Sequence, residues 1–181
     1  MIDATVLIIP GLGNSGEQHW QTRWEQRFPA FQRVNQQDWE TPVRHDWVEQ
    51  IDRAVMAHDP ANVILVGHSL ACTTIAYWAD TYDRRIKGAL LVAPSDSEAP
   101  TYPPGTTGFA PMKLVPLPFP SIVVTSTDDY YVTLERATAF ANAWGSELVN
   151  IGPAGHINAA SNLGDWEAGL ALLTRLANRD A

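Results

Sequence analysis

Ser69 stands in Gly67-His68-Ser69-Leu70-Ala71, directly after the apolar run Val63-Ile64-Leu65-Val66 and ahead of a stretch with helical patterning. A serine in a sharp strand-to-helix turn, with small residues two before and two after, is the arrangement that lifts a hydroxyl clear of the backbone as a nucleophile. Alanine at 71 replaces the more common glycine and still meets the steric demand. A free serine hydroxyl is a weak nucleophile at neutral pH, so an imidazole must take its proton as it attacks. His156 suits that role, in the turn-rich segment Gly152-Pro153-Ala154-Gly155-His156-Ile157-Asn158. His45 and His58 fall on or at the end of a patterned helix, His68 is part of the serine turn, and His19 precedes Ser69 in the chain. The orienting acid belongs between nucleophile and base in this chain order. Asp128 and Asp129, in Ser126-Thr127-Asp128-Asp129, are both placed for it, with Asp96 as a further candidate, and an aspartate there could instead cap turn amides. The developing oxyanion needs two N–H donors, ordinarily the amide after the nucleophile and one from the loop after the first strand. Those are Leu70 and Leu12, the latter in Pro10-Gly11-Leu12-Gly13-Asn14-Ser15, which lacks the glycine spacing or lysine of a phosphate-binding loop.

Positioning these residues takes a sheet whose strands all end on one edge. Thr5 to Ile9, Asn62 to Val66, Gly88 to Ala93, Ile122 to Thr125 and Glu147 to Ile151 read as buried strands, with a weaker edge strand within Phe31 to Trp39. Between them, helical spacing predicts helices over Glu17 to Phe28, where Trp20, Trp24 and Phe28 share a face, and over Val43 to His58, Leu70 to Tyr82, Thr133 to Trp144 and Leu163 to Leu176. Alternating strands and helices with right-handed crossovers give a three-layer α/β fold: about six mostly parallel strands in the order 2-1-3-4-5-6, with helices on both faces. The order reverses between strands one and three, so the Gly11 loop and the Ser69 turn meet at the switch point where ligands bind. Pro94 to Pro120 is a long connection rich in proline, glycine and serine, of the kind that forms rims, and Tyr102, Phe109, Met112 and Phe119 are expected to line a pocket from it.

At 181 residues, 45% hydrophobic and 18% charged, the chain is expected to form one domain, 1–181. A formal charge of −8 with no Lys/Arg cluster argues against nucleic acid. No apolar run approaches a membrane span, and the single cysteine, Cys72, is expected to pack behind the serine turn. A start that runs from Met1-Ile2-Asp3 into an apolar strand favours the cytoplasm.

Taken with His19-Trp20 and Trp24, Gly67-His68-Ser69-Leu70, Ser126-Thr127-Asp128-Asp129 and Gly155-His156, the sequence resembles the small serine hydrolases related to YdeN and to retinoblastoma-binding protein 9 along nearly its whole length. The resemblance implies a cap-less α/β-hydrolase core with a Ser-Asp-His triad. It assigns the acid to the second aspartate of the pair, Asp129, although Tyr130 stands where relatives commonly have proline. The expected activity is hydrolysis of a small carboxylic ester with short acyl chains, through an acyl-enzyme on Ser69 and with no metal or cofactor. A thioesterase or amidase would use the same triad, and a non-catalytic binding protein on this fold is the alternative of another class.

Overall fold

In the computed structural model, which describes residues 2–179, six parallel strands form one sheet. They are β1 (Thr5–Ile9), β2 (Gln32–Arg33), β3 (Val63–His68), β4 (Gly88–Val92), β5 (Ser121–Thr125) and β6 (Glu147–Asn150), in the order β2-β1-β3-β4-β5-β6. Five helices surround it: α1 (Trp20–Arg27), α2 (Arg44–Met56), α3 (Leu70–Tyr82), α4 (Leu134–Trp144) and α5 (Glu167–Ala177). Alternation along the strands sorts the side chains to two cores. Leu7, Ile9, Val63, Leu65, Leu91 and Val123 face one side, with Ile51, Val55, Ile75, Trp78, Phe140 and Trp144 of α2, α3 and α4. Val6, Ile8, Ile64, Val66, Leu90, Val92 and Val124 face the other, with Trp20 and Trp24 of α1 and Leu170 and Leu173 of α5. Both faces of the central strands are therefore dry, which is why those strands read as unbroken apolar runs. No helix among the described residues is long and apolar enough to cross a membrane.

Three expected elements differ most in extent, the others by at most one or two residues at an end. The edge strand is only Gln32–Arg33, because after Val34 N–H donates to Ile8 C=O (2.8 Å) the chain leaves the sheet. The departing segment packs Trp39 against Trp47 of α2, and its Trp39 carbonyl accepts the Gly13 N–H at 2.8 Å. Helix α1 starts at Trp20, since His19 caps it by accepting the Gln21 N–H. Helix α5 starts at Glu167 instead of Leu163, because Trp166 takes a left-handed backbone (φ 42°) to bring its ring onto Trp24, 5.8 Å between centroids and nearly parallel. Tertiary aromatic packing overrides the local pattern there.

The 94–120 connection is tied down along its length. Arg44 donates to Gly108 C=O at 2.9 Å, Ser97 Oγ donates to Phe109 C=O at 2.7 Å, and Tyr77 Oη donates to Pro111 C=O. Phe109 packs with Trp47 and Leu70, while Met112 and Phe119 enter the core beside α3 and α4. These three are therefore core residues, contrary to the expected pocket lining, and only Tyr102 of the four borders the cleft. An apolar side chain in a proline-rich loop satisfies a core as readily as a pocket, and the sequence pattern does not separate the two.

Candidate active site

The carboxyl ends of β1, β3, β4 and β5 meet at a cleft of about 400 Å³ bordered by Leu12, His19, His68, Ser69, Tyr102 and His156. Ser69 occupies the turn from β3 into α3 with φ 58° and ψ −121°, a conformation that non-glycine residues rarely adopt. What holds it there is close packing on either side. A Cβ on Gly67 would sit 2.7 Å from Ile75 Cδ1, and one on Gly11 would sit 2.8 Å from both His68 O and Ser69 Cβ. The same Gly67 Cβ would lie at ordinary contact distance, 3.5 Å, from the Cβ of Ala71, so the demand for glycine at 67 comes from Ile75 and alanine at 71 is accommodated. The Ser69 N–H donates to Val92 C=O at 2.9 Å, fixing the turn to the neighbouring strand.

His156 lies between Ser69 and Asp129. Its Nε2 is 2.8 Å from Ser69 Oγ, and its Nδ1 is 2.9 Å from both carboxylate oxygens of Asp129. The Asp129 side chain is fully buried, and its Oδ1 also accepts the Tyr131 N–H at 2.8 Å. Asp128 turns the other way. Its Oδ1 accepts the N–H groups of Ala154 (2.9 Å) and Gly155 (2.8 Å) and the Ser126 hydroxyl (2.9 Å), which hold its carboxyl below the usual carboxylate range, the Gly155 amide foremost. One aspartate thus grips the ring of His156 and its neighbour grips the backbone just before it. Asp96 is drawn into a bidentate pair with Arg136 (2.7 and 3.0 Å) and does not join this arrangement.

Several residues to which the sequence assigns no role in the site complete the frame around His156. His68 Nε2–H donates to the His156 carbonyl at 2.9 Å, and Trp20 Nε1–H donates to the Ile157 carbonyl at 2.8 Å. The Tyr131 ring lies 4.6 Å from the His156 ring. Gln21, wholly buried, donates from Nε2 to Ile9 and Val66 C=O (3.1 Å each) and accepts from Ser15 Oγ at 2.7 Å, joining the Gly11 loop to β1 and β3. For Trp20 and Gln21 the sequence signal is the His19-Trp20-Gln21 run at a helix start, where the periodicity accounts for Trp20 but not for its polar neighbours.

The Leu12 and Leu70 amides have no acceptor among the described residues, and Leu70 N is the first of a 13-residue helix, where N–H groups are free and the dipole favours negative charge. A Cβ on Gly11 would fall 3.3 Å from Leu70 N, so the Gly11 loop touches the start of α3. Cys72 is buried behind the turn, with Sγ against Gly67 and Val92 C=O, and burial pushes its thiol pKa up, so it is an inert core residue.

His19 and His68 are both buried, and burial lowers their pKa values, His19 to about 3 and His68 well below the ordinary value, with the neighbouring cations and histidines adding to the effect. His19 is therefore neutral in the folded protein at pH 5 and His68 is biased the same way, while the unfolded chain takes up protons below about pH 6.5. Stability from these two groups is complete above that pH and falls as the pH drops below it, for His19 down to about 3. The urea midpoint should therefore fall between pH 7 and pH 5, and less so in His19→Asn, which keeps an N-cap acceptor. A midpoint independent of pH over that range would contradict the neutral assignment.

Residues 6–175 match the serine hydrolase family, and the chain belongs to it. Among solved structures it is similar to a YdeN-like hydrolase of Pectobacterium atrosepticum, with 35% identity over 96% of this chain and 90% of that one and a TM-score of 0.83. It is also similar to the ydeN gene product of B. subtilis, with 22% identity, coverage of 96% and 98%, and a TM-score of 0.80. The RedJ thioesterase of Streptomyces coelicolor shares the fold at 15% identity, with coverage of 94% and 89% and a TM-score of 0.67. No curated protein matches the chain. The chain is accordingly a hydrolase on an α/β-hydrolase core.

Proposed function

We propose that the protein hydrolyses small carboxylic esters through an acyl-enzyme on Ser69. The observation that carries this reading is the position of His156, within hydrogen-bond reach of Ser69 Oγ through one ring nitrogen and of buried Asp129 through the other. In the first half-reaction Ser69 Oγ attacks the ester carbonyl carbon as its proton passes to His156 Nε2. The imidazolium is stabilised by the Asp129 carboxylate, and the carbonyl oxygen takes negative charge against the Leu12 and Leu70 N–H groups. Collapse expels the alcohol, which leaves with the proton from His156. Water then attacks the acyl-enzyme with His156 again as base, releasing the acid and restoring Ser69.

Three features support an ester of modest size. The cleft volume lies at the small end of the range for ligand pockets, the 94–120 connection folds back onto α2 and α3 instead of building a tunnel, and the lining is rich in polar side chains. For p-nitrophenyl esters, kcat/KM should therefore peak at two to four acyl carbons, an order-of-magnitude expectation from pocket size, and decline for long chains. A preference for long acyl chains would contradict the small-cleft reading, and no turnover of any ester would contradict ester hydrolysis itself.

A further inference from the structure

Two rings in the cleft wall hold hydrogen-bonding capacity that the triad does not use. His68 Nε2 faces the carbonyl of His156, and since a carbonyl only accepts, that nitrogen carries the proton. A neutral His68 therefore presents Nδ1 as a lone-pair acceptor, and Nδ1 has no partner among the described residues. In His19 the assignment is reversed. Its Nδ1 accepts the Gln21 N–H, so the neutral ring carries its proton on Nε2, a buried donor with no partner among the described residues. His19 is only 4% exposed, borders the cleft, and lies edge to face with His68 at 4.7 Å between centroids. A buried donor left unpaired is uncommon in native proteins, and here its ring packs against the one that presents the unpaired acceptor, both in the wall that also carries Ser69 and His156.

We propose that this histidine pair is a recognition site for a substrate hydroxyl, and that the natural substrate is an ester bearing a hydroxyl close to the scissile carbonyl. The inference rests on ester hydrolysis at Ser69. A hydroxyl is the group that meets both demands at once, accepting from His19 Nε2–H and donating to His68 Nδ1. In the resting enzyme a water molecule can meet the same demands, and a hydroxyl reproduces its bonds on displacing it, whereas a methyl group in the same place leaves both nitrogens unpaired. A carboxylate or ether oxygen satisfies the donor alone and faces the His68 lone pair. The hydroxyl can reside on the acyl or on the alcohol portion, and matched substrates separate the two.

The experiment compares kcat/KM within two pairs in which a hydroxyl replaces a methyl. p-Nitrophenyl 3-hydroxybutyrate against p-nitrophenyl 3-methylbutyrate tests the acyl side. 2-Hydroxypropyl butyrate against 2-methylpropyl butyrate, followed by acid release, tests the alcohol side. The hydroxyl ester of one pair should be favoured by about tenfold or more, since a missing partner leaves buried groups unsatisfied. That ratio should fall toward one in both His19→Phe and His19→Asn, the second of which keeps an acceptor at the helix N-cap. Ratios near one in both pairs, with the esters turned over, would overturn the hydroxyl site and leave ester hydrolysis standing. A hydroxyl preference that persists in both His19 variants would overturn its assignment to this pair. Failure to hydrolyse any of the four esters would overturn the site together with the reading it rests on.

Discussion

Asp129→Asn is expected to reduce kcat by about ten-thousandfold, while the same substitution one residue earlier, Asp128→Asn, should stay within about tenfold of wild type. The two side chains are adjacent in sequence and have different tasks. Asp129 is buried and meets the Nδ1 of His156 with both oxygens. An asparagine there presents an amide N–H or a neutral carbonyl to the ring, so it either turns the imidazole into the wrong tautomer or gives up the charge that stabilises the imidazolium. Asp128 is exposed, and only its Oδ1 is engaged, as an acceptor from Ala154 N–H, Gly155 N–H and the Ser126 hydroxyl. Asparagine retains a carbonyl oxygen for those three donors. Asp128→Ala removes the acceptor, releases the backbone before His156, and should lose activity that Asp128→Asn restores. Steady-state kinetics on p-nitrophenyl butyrate, with folding checked by circular dichroism, decides the matter. An inactive Asp128→Asn beside an active Asp129→Asn would reverse the assignment.

How much of this was legible in the sequence depends on whether the information is local. The strand order and the Ser69 turn were readable because apolar runs, glycine positions and helical spacing are local properties, and strands buried on both faces leave little ambiguity. The choice between Asp128 and Asp129 was not, because both end the same strand and differ only in the direction of the side chain. The resemblance to known hydrolases pointed to Asp129, and Tyr130, 72% exposed, follows it without disturbing its approach to His156. Phe109, Met112 and Phe119 were misplaced because a proline-rich loop that returns to the core carries the same composition as one that rims a pocket. The late start of α5 follows from Trp166, whose left-handed backbone serves a stack on Trp24 contributed from far along the chain.

The histidine pair illustrates the limit from another side. Each of His19 and His68 had an adequate local explanation, one as part of a helix start and one as a filler in the serine turn. Their proximity to each other and to His156, with ring centroids 4.7 and 4.9 Å apart, is set by the crossover that lays α1 beside β3. The His-Trp motif thereby acquires a physical content: Trp20 supports the backbone after His156, and His19 packs against the ring that supports His156 itself.

If Ser69 is the nucleophile, Ser69→Ala must lose ester turnover, a result read together with reaction of an active-site-directed fluorophosphonate followed by peptide mass mapping. Among the described residues the Ser69 hydroxyl has a single side-chain partner, Nε2 of His156, and the turn is held by backbone packing around Gly11 and Gly67, so the variant should fold with the wild-type frame. Removing the hydroxyl takes away the atom that bonds to the acyl carbon, and kcat should fall by at least about a thousandfold, to what the oxyanion donors and the cleft sustain alone. The wild type should acquire one phosphonate adduct, on Ser69, and the variant none. Turnover retained in purified Ser69→Ala, or an adduct on another residue of the wild type, would contradict the account.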